Sequence, residues 1–132
     1  MKKLIRVVGA VIENEYQEIL CALRAPNMSL GNLWEFPGGK IEKDESLKEA
    51  IEREIKEELD CEIEYTGLFN DNTYEYENFI VNLITVKCRI IHSIPTASEH
   101  SKLIWLKREN LSSLKWAPAD IPAVEQLIAE KA

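Results

Sequence analysis

Residues 4–12 form a nearly unbroken apolar run rich in β-branched side chains, which reads as a strand. A polar turn follows at 13–17, and 18–24 reads as the returning strand. Pro26, Asn27, Ser29 and Gly31 break the chain into a loop, and the short apolar run 33–36 ends at Pro37-Gly38-Gly39. Residues 63–76 and 79–91 are two further β-rich stretches joined near Glu77-Asn78, and 103–106 is a short last strand. Over 121–131 the apolar positions 121, 124, 127 and 128 carry helical spacing. Strands far outnumber helices, so the pattern predicts an α+β fold with helices packed on a mixed sheet.

The central segment also reads as a helix. Ser46-Leu47-Lys48-Glu49 is a capping box, predicting a helix over 47–59. At about 100° per residue, with Arg53 set to zero, Leu47, Ile51, Ile55 and Leu59 fall between about 120° and 240° and form the buried stripe. Glu49, Glu52 and Lys56 fall on the opposite, solvated face. Glu57, Glu54 and Glu58 fall near about 40°, 100° and 140°. Glu58 therefore stands at the edge of the buried stripe, where an uncompensated carboxylate costs several kcal/mol. Lys48 also interrupts the stripe, but a first-turn lysine can snorkel outward. Acidic helix faces are common, and the helix alone does not decide between a solvated face and a site for a hard divalent cation. Gly38-Gly39 either make the turn after Pro37 or let backbone carbonyls approach a metal or phosphate closely.

Charge localises both alternatives without choosing between them. The 132 residues are 45% hydrophobic and 30% charged, with a net charge of −7. Between Glu42 and Glu64 eleven acids face four bases, so this one window carries the whole imbalance. An acidic chain without a basic stripe is a poor ligand for duplex nucleic acid. No apolar run reaches the roughly 18 residues of a membrane span. The length predicts a single domain over 1–132. Cys21, Cys61 and Cys88 are odd in number and unrelated in spacing, which predicts buried thiols in a reducing, cytoplasmic setting.

Gly39, then Glu45, then Arg53-Glu54-Ile55-Lys56-Glu57-Glu58 resembles the Nudix box, and the chain is identified as similar to Nudix hydrolases of the MutT-type, CTP pyrophosphohydrolase-like branch. The opening Met1-Lys2-Lys3-Leu4, the run Trp34-Glu35-Phe36-Pro37-Gly38-Gly39-Lys40 and Ala117-Pro118-Ala119-Asp120 extend the likeness along the chain. One box position departs: Asp60 stands where the family has glycine. A left-handed residue ends the helix there, and Asp tolerates that conformation at a small cost.

The resemblance implies a Nudix fold, an α/β/α sandwich with a mixed β-sheet, and hydrolysis of a nucleoside diphosphate linked to another group. It implies Mg2+ or Mn2+ held by Glu54, Glu57, Glu58 and the Gly39 carbonyl. Arg53 would orient the glutamates, and Glu45 would lie near the metal cluster. It implies a further catalytic carboxylate in the loop before the last strand, for which Glu99 stands, against the bland alternative of an exposed loop acid. Arg24 and Lys40 are candidate phosphate contacts, Phe36 and Tyr76 candidate substrate contacts. His92 and His100 show no ligand spacing and are expected to be surface or structural. The implied partner is a small nucleotide, with no duplex nucleic acid, no membrane and a homodimer left open.

Asp120 bears on the base. It either caps the last helix or reads the nucleobase, and one residue can do both. An ionised Asp only accepts hydrogen bonds, which suits an exocyclic amino group such as cytosine N4. The expected reaction is therefore metal-dependent cleavage of a (d)NTP to (d)NMP and pyrophosphate, with cytosine nucleotides favoured. The alternatives are an 8-oxo-dGTP diphosphatase, hydrolysis of another nucleoside diphosphate derivative, and a non-catalytic nucleotide-binding module.

Overall fold

The computed structural model describes residues 1–98 and 100–130. The strands are β1 (Lys3–Ile12), β2 (Glu18–Leu23), β3 (Trp34–Glu35), β4 (Gly38–Lys40), β5 (Glu62–Glu75), β6 (Phe79–His92) and β7 (Lys102–Lys107). The helices are α1 (Leu47–Leu59) and α2 (Ile121–Ala129). Lys131, within the expected second helix, lies outside the described residues. Short 3-10 turns at Arg108–Ser113 and Pro118–Asp120 precede α2; neither has a hydrophobic period long enough to read from sequence.

The mixed sheet is present, in the order β4-β1-β6-β5, with β1 and β6 parallel and the other pairs antiparallel. A second, antiparallel sheet has the order β3-β2-β7. The returning strand expected over 18–24 is present as β2, and its partners are β3 and β7. The chain does reverse there, with Asn14 Oδ1 accepting from Tyr16 N and Glu18 N at 3.0 and 2.9 Å. Only the isolated Glu13–Ile19 bridge then joins the two strands, and β2 pairs instead with β3 and β7. Periodicity marks a strand and its faces; it does not choose the neighbour.

Successive residues of β1 point to opposite sides. Val8, Ala10 and Ile12 enter one apolar cluster with Ile51, Ile55 and Leu59 of α1, while Val11 enters a second with Val124 and Leu127 of α2. Burial on both faces is why β1 reads as a continuous apolar run rather than an alternating one. Burying each of the large α1 side chains contributes about 1.5–3 kcal/mol. The sheets thus lie between the two helices.

The capping box of α1 is complete: Ser46 Oγ accepts from Glu49 N at 3.1 Å, and Glu49 Oε1 from Ser46 N at 2.9 Å. Asp60 ends the helix at φ 49°, ψ 45°, in the left-handed region, and its N–H donates to the Lys56 carbonyl. Lys48 is exposed and donates to Glu52, as a snorkelling first-turn lysine should. All three cysteines are free and buried, and burial pushes the Cys21 and Cys88 thiols up to about 12.

Candidate active site

Two glycines bring β4 against the rest of the site, and neither has positive φ. Of the two alternatives, the turn and the close approach, the surroundings of these glycines favour close approach. A Cβ on Gly38 would collide with the Val8 carbonyl of β1, and a Cβ on Gly39 with the Glu54 carboxylate of α1. Only glycine lets the backbone of β4 touch both neighbours.

Arg53 organises the acids of α1. Its Nε and Nη2 meet the two oxygens of Glu45 at 2.6 and 2.9 Å, a paired-fork geometry. Nη1 donates to Glu54 at 3.0 Å and to Glu57 at 3.1 Å, and Nη2 also reaches the Lys40 carbonyl at 3.2 Å. The Arg53 hydrogen bond, with that from Glu42 N, lowers Glu45 to about 2. Glu45 thus fixes Arg53, which sequence spacing alone does not reveal.

Glu54 behaves differently. Its desolvation outweighs the attraction of Arg53, and its pKa is raised. Glu57 is 61% exposed in its side chain and accepts from Arg53. Glu58 is half-buried at the stripe edge and lines the same pocket as Gly38 and Gly39. The Ser98 hydroxyl donates to the Glu58 carbonyl at 2.7 Å. Among the described residues, no three Asp, Glu, His or Cys side chains converge as a bound ion requires; Glu54 and Glu57 turn toward Arg53 instead. The donor chemistry nevertheless suits a hard divalent cation: carboxylates and a glycine-exposed backbone, with Glu54 under-compensated beside Gly39. Glu99 lies outside the described residues.

Glu52 is not the free solvent-face residue expected from the helical wheel. Its Oε2 accepts from Lys48 Nζ at 2.6 Å and from Tyr65 N at 3.2 Å, tying α1 to β5. A wheel places a side chain on a face but cannot see the strand end packed beside it.

The pocket has a volume of about 400 Å³ and extends from these box residues to Asp120, within the range of small-molecule sites. Its lining includes Arg24, Lys40, Phe36, Tyr76 and Asp120. Lys40 is exposed. Phe36 is 3% exposed, its ring 4.9 Å from that of Trp116, so most of that ring belongs to the core. Tyr76 Oη accepts from Ala119 N at 3.0 Å. Arg24 donates to the Ser29 carbonyl at 2.6 Å and to Glu35 at 2.9 Å.

Asp120 is delivered by a parallel bridge. Trp34 N donates to the Lys115 carbonyl, and Ala117 N to the Trp34 carbonyl, both at 2.9 Å. Asp120 precedes α2 but makes no side-chain cap bond; its Oδ2 accepts from Phe36 N at 3.0 Å. Burial pushes its pKa up to about 8, against the lowering effect of Phe36 N–H. This burial favours the protonated carboxyl over the ionised, acceptor-only form expected from the sequence. The sequence shows the residue type but not its burial.

Glu35 is a carboxylate inside the four-residue apolar run 33–36, to which the sequence assigned no role of its own, and His100 was expected to be surface or structural. His100, unlike exposed His92, is buried, with Nε2 2.8 Å from Glu35 Oε2. Burial alone would lower its pKa, but the Glu35 hydrogen bond and the charges of Glu35 and Glu58 outweigh this and raise it.

An arginine-clamped glutamate helix against a glycine strand, on this two-sheet frame, is the arrangement of a Nudix hydrolase. Residues 3–127 match the family model for the NUDIX domain, and the chain belongs to that family. It is 37% identical over 130 residues to the CTP pyrophosphohydrolase of Escherichia coli K12, covering 98% of this chain and 96% of that protein. It is 32% identical over 127 residues to the 8-oxo-dGTP diphosphatase of the same organism, covering 96% and 98%. The solution structure of a MutT protein of the Nudix family from methicillin-resistant Staphylococcus aureus 252 superposes with a TM-score of 0.80 at 46% identity, covering 99% of this chain and all of that one. No helix among the described residues is long and apolar enough to cross a membrane.

Proposed function

We propose that this Nudix hydrolase cleaves nucleoside triphosphates to monophosphate and pyrophosphate, with CTP, dCTP or modified cytosine nucleotides as its preferred substrates. The observation that carries the reading is that one pocket holds both the box residues Gly38, Gly39 and Glu58 and the base-reading candidate Asp120. A nucleotide seated there has its phosphates at the acidic helix and its base against Asp120. The enzyme acts on the cytoplasmic nucleotide pool, as a monomer or homodimer, in a single domain over 1–132.

Glu54, Glu57, Glu58 and the Gly39 carbonyl would hold Mg2+ or Mn2+, which when bound screens the phosphate charge, polarises phosphoryl oxygens and acidifies water. Arg53 keeps Glu54 and Glu57 oriented through its Nη1 hydrogen bonds. Lys40 and Arg24 contact the phosphate chain, and Glu99 is assigned the proton from the attacking water.

For the base, Phe36 N–H fixes Oδ2 of Asp120 and leaves Oδ1 for the ligand. A protonated Oδ1 donates to cytosine N3 and accepts from the N4 amino group. The same acid also tolerates a carbonyl, which keeps 8-oxo-dGTP as the second reading, supported by the 32% identical relative. Cytosine is preferred because the likeness to the CTP pyrophosphohydrolase is higher, 37% over 130 residues against 32% over 127.

The test is a nucleotide panel with pyrophosphate and orthophosphate read separately, with and without magnesium. Magnesium-dependent pyrophosphate release, fastest with cytosine nucleotides, is expected. Full activity in excess chelator would overturn the metal reading, and orthophosphate as the product would overturn the reaction.

A further inference from the structure

We propose that His100 is a positioning residue for the nucleotide, acting through Glu35 and Arg24. The proposal rests on the reading of the pocket as a nucleotide site. His100 Nε2 lies 2.8 Å from Glu35 Oε2, and Glu35 Oε1 accepts from Arg24 Nη1 at 2.9 Å. Both Glu35 and Arg24 line the pocket, whereas the His100 side chain is 1% exposed. The chain of contacts therefore runs from a buried ring in the β6–β7 loop to the pocket wall.

Three observations favour a positioning role over mere space-filling. Nδ1 of His100 has no hydrogen-bond partner among the described residues, so the polar work of the ring is directed at Glu35. The loop is fastened to the same strand end, since Ser101 N donates to the Leu23 carbonyl at 2.9 Å, one residue before Arg24. Arg24 in turn grips Ser29 through its carbonyl at 2.6 Å and its hydroxyl at 3.3 Å. The next residue, Leu30, lines the pocket at φ 56°, a strained conformation for leucine that surrounding contacts must enforce. Releasing Glu35 thus frees Arg24, and with it the wall formed by Ser29 and Leu30.

The test uses His100→Leu, which fills space without the hydrogen bond, and His100→Gln, whose amide can donate from near the Nε2 position. CMP affinity is measured by calorimetry alongside KM and kcat for CTP. His100→Leu should weaken CMP binding and raise KM by about tenfold, as expected for one lost charge-assisted hydrogen bond, with kcat within about threefold. His100→Gln should restore both. Glu35→Gln combined with His100→Leu should be no worse than His100→Leu alone, because the two act as one unit. A fall in kcat with KM unchanged, a loss of melting temperature with CMP affinity intact, or fully additive effects would each overturn the role. If the wild type bound CMP but hydrolysed no triphosphate, the enzymatic reading would fail while the affinity series still judged His100.

Discussion

Asp120 Oδ2 accepts the backbone N–H of Phe36 at 3.0 Å across 84 positions of sequence. This bond joins the segment before α2 to the link between β3 and β4, which leads into the Nudix box. It also fixes which oxygen of Asp120 is left for a ligand.

Asp120→Asn should therefore change base preference in a defined direction. Only the amide oxygen of Asn can accept from Phe36 N–H, which turns the NH2 group toward the base as a donor. That donor opposes the cytosine amino group and suits a purine carbonyl. Cytosine substrates should lose about 1–3 kcal/mol in relative kcat/KM against 8-oxo-dGTP. An unchanged ranking would remove Asp120 from base reading.

The same substitution should alter the response of stability to pH. Asp120 rises from 3.8 to about 8 on folding, so between those values the folded chain binds more protons than the unfolded one. Stability from this group is full at acid pH and is lost as pH rises through about 8. Melting temperatures at constant ionic strength should show Asp120→Asn gaining on the wild type from pH 4 to 8 and levelling above it. A constant gap would mean that Asp120 ionises normally.

Gly38 and Gly39 separate structure from chemistry. Gly38→Ala places a methyl group into the Val8 backbone, and overpacking of this kind costs about 1–3 kcal/mol. Gly39→Ala meets the Glu54 side chain instead, which can swing away. Gly39→Ala should fold nearly as well as the wild type but bind activating metal more weakly, seen as a higher magnesium requirement. A normal magnesium titration would detach Gly39 from the metal site.

Glu57→Gln and Glu58→Gln should lower kcat by orders of magnitude. Glu57 is largely exposed, so its loss should change stability by less than about 1 kcal/mol. Glu52→Gln should leave turnover intact, since Gln still accepts from Tyr65 N, and cost little beyond the Lys48 ion pair. Steady-state kinetics of the three variants decide the matter: equal losses would show that the two faces of α1 are wrongly assigned.

How far the sequence reached follows from the range of each interaction. The span of α1, its caps and its buried stripe are local and period-driven, and Ser46, Ile55 and Asp60 announce them. Partners set by distant backbone were hidden: β2 pairs with β7 rather than β1, Glu52 meets Tyr65, and Asp120 is buried against Phe36. The resemblance to the Nudix box named the acids but not Glu45 as the residue that clamps Arg53, nor His100 behind Glu35. These roles depend on tertiary contacts that no spacing rule encodes.

Asp60 offers a prediction in which local chemistry alone decides. At φ 49°, ψ 45° it pays a backbone penalty that glycine does not. It also sets a negative charge at the carbonyl end of α1, where the helix dipole disfavours it. Its compensation is small: the Lys56 contact is 3.5 Å long, between side chains 56% and 83% exposed, and such pairs are worth at most about 1 kcal/mol. Glycine gives back part of the gain through greater freedom of the unfolded chain. Asp60→Gly should therefore raise stability by about 0.5–1 kcal/mol, since the conformational and dipole terms together exceed the exposed ion pair. Because Asp60 is outside the pocket lining, kcat and KM should not move. Urea denaturation with an unchanged m-value checks the first part, and a lower midpoint for the glycine variant would show that the Lys56 pair outweighs the backbone cost.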